Sequence, residues 1–197
     1  MMKFVYRITA VLGLVASLFI VSSITFAQET GQNLNTIASE PASQSAVIEY
    51  NLAFPGILPD HPLYKLKTLR NKVFLALIAN PQKKTDWLLR ETDKGILAAA
   101  MLIDKQKYAL AIQTAYKAEH NYTLITYEMK KMLIRPDDEY FLNLKLAALK
   151  HQEVLRSLLT RVPEEKQKDL RTIIEFSERN WDTLAKQQMK KRPEDFL

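Results

Sequence analysis

The chain has 197 residues, a formal net charge of +6, four glycines and no cysteine. The missing cysteine excludes disulfides, thiolate metal sites and an acylated leader cysteine, and so few glycines leave no phosphate-cradling loop. The positive charge is spread along the chain and forms no aromatic-bearing stripe, which speaks against nucleic acid as a partner and leaves mild attraction to anionic surfaces such as membranes or wall polymers.

Residues 1–27 read as a secretory signal peptide. Lys3 and Arg7 form a basic start, Ile8 to Val21 is an apolar core, and small residues lead up to Ala27. The competing reading is an uncleaved N-terminal membrane anchor, because residues 8–27 match the roughly 20 residues of a spanning helix. Either way the remainder is expected to be secreted or extracytoplasmic, held at the cytoplasmic membrane in the second case. Without the leader the net charge falls from +6 to +4. Residues 28–47 are rich in Gln, Ser, Thr and Asn and cannot bury enough surface to offset their ordering entropy, so a flexible linker is expected. A helical bundle domain should fill residues 48–190, with a C-terminal tail at 191–197.

The run Pro55-Gly56-Ile57-Leu58-Pro59-Asp60-His61-Pro62-Leu63-Tyr64 is the most distinctive in the chain. Three prolines fix φ, Gly56 permits a tight reversal, and Asp60 is expected to cap the helix that follows. That helix should run from about Asp60 to Ala79, burying a stripe of Leu66, Leu69, Val73 and Leu77, widened by Phe74 and Ile78, with its lysines and Arg70 mostly outward. Asn80-Pro81 ends it and opens a second helix to about Lys105, with Leu88, Thr92, Ile96, Ala99 and Ile103 as its seam. Gly95 inside that helix costs up to ~1 kcal/mol relative to Ala, which points to a close helix contact there.

A third helix is predicted from Tyr108 to about Leu133, its inner face carrying Ile112, Ala115, Tyr122, Ile125 and Met129. The fourth, from about Asp138 to Arg161, has the cleanest heptad: Phe141, Leu144, Ala148, His151, Leu155, Leu158. Val162-Pro163-Glu164-Glu165 starts a fifth, with Leu170, Ile173, Ile174, Trp181 and Leu184 inward. The fold class is therefore all-α: an antiparallel bundle or stacked helical hairpins of about five helices.

The run from Pro55 to Arg70, with Tyr50 before it, resembles the opening signature of a family of exported bacterial helical domains of unknown function. Asn80-Pro81-Gln82-Lys83-Lys84 and the stretch from His151 to Glu165 are similar to later landmarks of that family, so the likeness spans about Ile48 to Leu184. It implies an extracytoplasmic helical domain and carries over no catalytic residue.

Candidate chemistry is sparse. His61, beside Asp60, reads as part of a cap, and His151 as a core histidine hydrogen-bonded across the bundle. A metal at His151 would need Glu119 and His120 from helix three, yet the Glu-x-x-His spacing of carboxylate-bridged metal bundles is absent. Asp137-Asp138 and Glu164-Glu165 suit helix starts. No catalytic residue, cofactor or metal site is expected, and the chain is read as a non-enzyme. The candidate structural or docking motif is Pro55, Gly56, Pro59, Asp60, His61, Pro62 and Tyr64, either bracing the first helix or offering an edge to a partner. The leading functional expectation is a non-enzymatic interaction or scaffold module at the bacterial cell surface, with a protein or other envelope component as partner and anchoring through residues 8–27. The alternatives are a periplasmic peptide- or metal-binding sensor or chaperone-like protein, and an enzyme of unrecognised type.

Overall fold

Local chemistry starts all but the first helix where the sequence says it should. Asn80 accepts a hydrogen bond from the Lys83 amide at 3.0 Å and Pro81 follows it, so helix α2 runs Pro81–Asp104. Asp137 accepts from the Tyr140 amide at 2.8 Å and opens α4, Asp138–Ser157. Between them α3 spans Tyr108–Lys131, entered through a turn in which Gln106 takes φ 57°. The expected fourth helix is shorter than its pattern, because a 3-10 turn at Leu159–Arg161 tightens the chain ahead of Pro163. Helix α5, Glu164–Met189, follows with Glu164 and Glu165 in its first turn. The first helix, α1, is Tyr64–Leu77, four residues later at its start than the cap expected at Asp60.

The computed structural model describes residues 48–132 and 136–189, which belong to one unit, Ser45–Leu197. Among them are these five α-helices and no strand, so the fold is all-α. The expected leader or anchor, the linker at 28–47, the joint at 133–135 and the tail lie outside the described residues. No helix among the described residues is long and apolar enough to cross a membrane.

Helices α2 to α5 form a four-helix, up-down-up-down bundle. Helix α2 packs on α3 and α4, and α5 packs on the same two, which sets α3 and α4 across the diagonal. The Tyr122 hydroxyl bridges that diagonal, donating to the Leu144 carbonyl at 2.8 Å. The core has two apolar layers. One holds Ile96, Leu102, Ala115, Leu155, Leu158, Leu170 and Ile173; the other holds Leu88, Tyr122, Ile125, Phe141, Leu144 and Leu184. Gly95 allows the α2–α3 approach, since a Cβ there would sit 2.5 Å from that of Ala118.

Helix α1 reverses the expectation. It contains no buried residue, and Leu66, Leu69, Val73 and Leu77, read as its core stripe, are 49, 59, 51 and 75% exposed. The side that faces the bundle carries Tyr64, Thr68, Asn71 and Leu75 instead. The reason is that α2 to α5 already close the core, and α2 offers α1 the polar side chains Glu91 and Lys94. Asn71 accordingly donates to Glu91 at 2.5 Å.

Candidate functional site

The arm before α1 is built from turns. Gly56 has φ 64° with nothing within 4 Å of a built Cβ, so its freedom serves the backbone reversal alone. The His61 amide donates to the Leu58 carbonyl at 3.0 Å, and the Tyr64 amide to the His61 carbonyl at 3.0 Å. The His61 Nδ1 accepts from the Leu63 amide at 3.1 Å, so this ring occupies one of the donors that a helix start leaves over. Pro55 and Leu58 are buried, whereas Phe54, Ile57 and Leu63 are exposed. Lys67 reaches back from α1 to the carbonyls of Pro55 at 2.5 Å and Ile57 at 3.1 Å.

Asp60 does not cap the helix. The position preceding α1 is Leu63, which makes no side-chain cap bond. The Asp60 carboxylate instead takes Lys107 at 2.9 Å and Lys105 at 3.1 Å, fastening the arm to the α2–α3 turn. Hydrogen bonds from Lys107 and Lys105 hold its pKa down to about 2. Pro55, Pro59 and the Gly56 reversal bring Asp60 to that turn before the helix begins, and its Oδ2 takes both ammonium groups.

Between α1 and the α2–α3 pair lies an open cleft of about 710 Å³, with His61 and His120 on its walls beside Asp60 and Glu91. The carboxylates do not converge on either imidazole: Asp60 is held by the two lysines, and Glu91 by Asn71 and by Lys94 at 2.9 Å. No acid–base pair is assembled. What remains available in the cleft is chiefly cationic: Lys117 and, where α1 turns from the cleft to its outward stripe, Lys65 and Lys72.

The second constellation is internal. Between the two apolar layers, each helix of the bundle supplies a polar side chain: Asp93 from α2, Glu119 from α3, His151 from α4, Ser177 and Asn180 from α5. The His151 Nε2 lies 2.8 Å from Asp93 Oδ1, and the other Asp93 oxygen accepts from the Tyr50 hydroxyl at 3.0 Å. That contact ties the segment preceding the arm into the centre of the bundle. Burial, then the Asp93 charge and its hydrogen bond, push the Tyr50 phenol up. Asn180 donates to the Glu119 carbonyl at 2.9 Å and accepts from Thr123 at 2.8 Å.

Two atoms of this layer have no hydrogen-bond partner, His151 Nδ1 and Glu119 Oε1, and they face each other at 3.7 Å. Burial raises the Glu119 pKa, against pulls downward from His151, Asn180 and Ser177. At that distance no hydrogen bond joins them, and the ring's one hydrogen-bonding contact is the one from Nε2 to Asp93. The two carboxylates thus address opposite nitrogens of one ring, which leaves no point within metal-bonding distance of all three. Among the described residues no group of three or more His, Asp and Glu is placed to hold a metal. With His151 and Glu119 fully buried and Asp93 4% exposed, the network is closed to solvent and joins the helices from within.

The structure thus brings His61, Asp60 and Tyr64 to one side of the cleft and sends His151 to the interior, hydrogen-bonded across the bundle. Glu119 was weighed only as a metal ligand with His120, yet its neighbour points into the cleft and Glu119 alone meets His151. Asp93 was missed. Its signal was available: Leu89-x3-Asp93-x2-Ile96 and Ala115-x3-Glu119-x2-Tyr122 each place a carboxylate at a stripe position, as Ala148-x2-His151-x3-Leu155 places the histidine. Three helices interrupted at matching depth mark a polar layer.

No curated protein and no solved structure matches the chain. Residues 56–165 match a family model described as Domain of unknown function (DUF5667). The matched segment begins within the proline arm and takes in α1 to α4, more than half of the sequence, and the chain therefore belongs to that family.

Proposed function

We propose that this chain is a non-enzymatic interaction or scaffold module of the cell surface, working through α1 and the proline arm. The observation that carries the reading is the apolar stripe which α1 turns to solvent, because exposed aliphatic surface of that extent marks an interaction face. The internal His151 network supports it too, since the best-assembled titratable groups are committed to packing. Residues 1–27 would export or anchor the chain, and residues 28–47 would tether the bundle. A peptide-binding sensor is the second reading, favoured by the cationic cleft beside His61 and His120.

The experiment places a photo-crosslinking residue at Val73 in the full chain, in intact cells, with Thr172 on the exposed side of α5 as control. Adducts to an envelope component from position 73 and none from 172 are expected. No adduct from 73 would remove the module reading. Adducts only from a probe at Lys117, inside the cleft, would favour the sensor.

A further inference from the structure

We infer that the outward face of α1 docks on an anionic lipid surface, so that the partner of the module proposed above is the membrane itself. The inference rests on that reading and on the arrangement of side chains around one helix. At about 100° per residue, Leu66, Leu69, Val73 and Leu77 fall within an arc of roughly 80°. Each is about half exposed or more. Lys65 and Lys72 border this arc on one side and Arg70 on the other. Among the described residues none of the three cations is ion-paired, and α1 contains no acidic residue. An aliphatic face rimmed by long cationic side chains is the layout of a helix lying in a bilayer interface, its ammonium and guanidinium groups reaching the headgroups while the stripe sinks toward the acyl chains.

Two other occupants fit less well. A second copy packed face to face would bring these three cations against three more with no acid of α1 to meet them. A folded protein partner would seek a groove, and this face is the convex side of a single helix, the cleft lying behind it. A fluid, negatively charged surface needs no pocket.

The test uses the full chain. Since it has no cysteine, Val73→Cys and, as control, Thr172→Cys each accept one environment-sensitive fluorophore. The probes are vesicles of phosphatidylglycerol with phosphatidylcholine, and vesicles of phosphatidylcholine alone. A blue shift at position 73 on the anionic vesicles, absent at 172 and weakened by salt, is the expected result. Neutralising Lys65, Arg70 and Lys72 to Gln should lower the lipid dependence of that shift about fivefold per cation, about a hundredfold together. A vesicle-bound chain with no shift at 73 overturns the inference, as does an equal shift on neutral vesicles. A concentration-dependent shift without vesicles would assign the face to a second copy, and a concentration-independent one to another segment of the same chain; both overturn it. A protein adduct from position 73 in cells, with no lipid response, would overturn the lipid inference and leave the interaction module standing.

Discussion

His151 shows how one side chain can organise a bundle. It is fully buried, with Asp93 hydrogen-bonded to one ring nitrogen and Glu119 facing the other at 3.7 Å. Because burial holds the Glu119 carboxyl above its ordinary 4.5, the unfolded chain releases a proton above that pH which the fold retains. Stability is therefore lost as pH rises from 4.5 toward the folded value. Glu119→Gln keeps the side chain's shape and removes this dependence. Its melting temperature should gain on that of the wild type as pH climbs from 4.5; parallel profiles would show that Glu119 keeps no such proton. Asp60 has the opposite sign. Its pKa is depressed from 3.8 to about 2, so the contribution of the two lysine contacts is complete above 3.8 and disappears as pH falls toward 2. Acid titration of the melting temperature should separate wild type from Asp60→Asn above that window and merge them below it.

Among the elements, α2 and α3 are joined most closely, and Gly95 is the reason they can be. A methyl group there meets Ala118 Cβ at 2.5 Å, so Gly95→Ala should cost ~1–3 kcal/mol by urea unfolding despite the better helix propensity of alanine. Adding Ala118→Gly should restore most of the loss, and a double variant as weak as the single would move the clash elsewhere. Helices α4 and α1 make a sharper contrast, since their patterns promise equal burial. Leu155 is fully buried and Val73 is 51% exposed. Leu155→Ala should cost ~2–5 kcal/mol and Val73→Ala no more than about 0.5 in the same measurement. Equal losses would mean that α1 packs its stripe inward in solution.

For the molecule as a whole, periodicity was a sound guide to which residues share a face and no guide to what that face meets. Asn80, Asp137 and the Pro163-Glu164 start were readable because a cap is decided within four residues. The seam of α4 was readable because Leu144, Leu155 and Leu158 have three helices to pack against. Leu66 and Val73 obey the same spacing, but whether a fifth helix finds room depends on how completely the other four close, which is a property of the assembly. The polar layer escaped for a related cause: Asp93, Glu119 and His151 lie up to 58 residues apart, and only the bundle's register puts them at one depth. Asp60 was misread because a capping residue and an ion-pair partner look alike until the path of the arm is known.

The fastening of α1 has a consequence for local opening. Its polar ties are Lys67 to two carbonyls of the arm, Asn71 to Glu91, and Asp60 to the α2–α3 turn. Of α1 only the partly buried Leu75 packs on the core of α2 to α5, so the helix can detach at small apolar cost while the bundle stays folded. Backbone amides of Lys67 to Leu77 should then exchange with deuterium well before those of Leu88 to Ile103, and raised salt should speed the first group alone by screening the ties. Exchange of both groups at one rate would make the molecule a single cooperative unit. The measured order would instead describe a rigid four-helix body with a releasable, cationic flap.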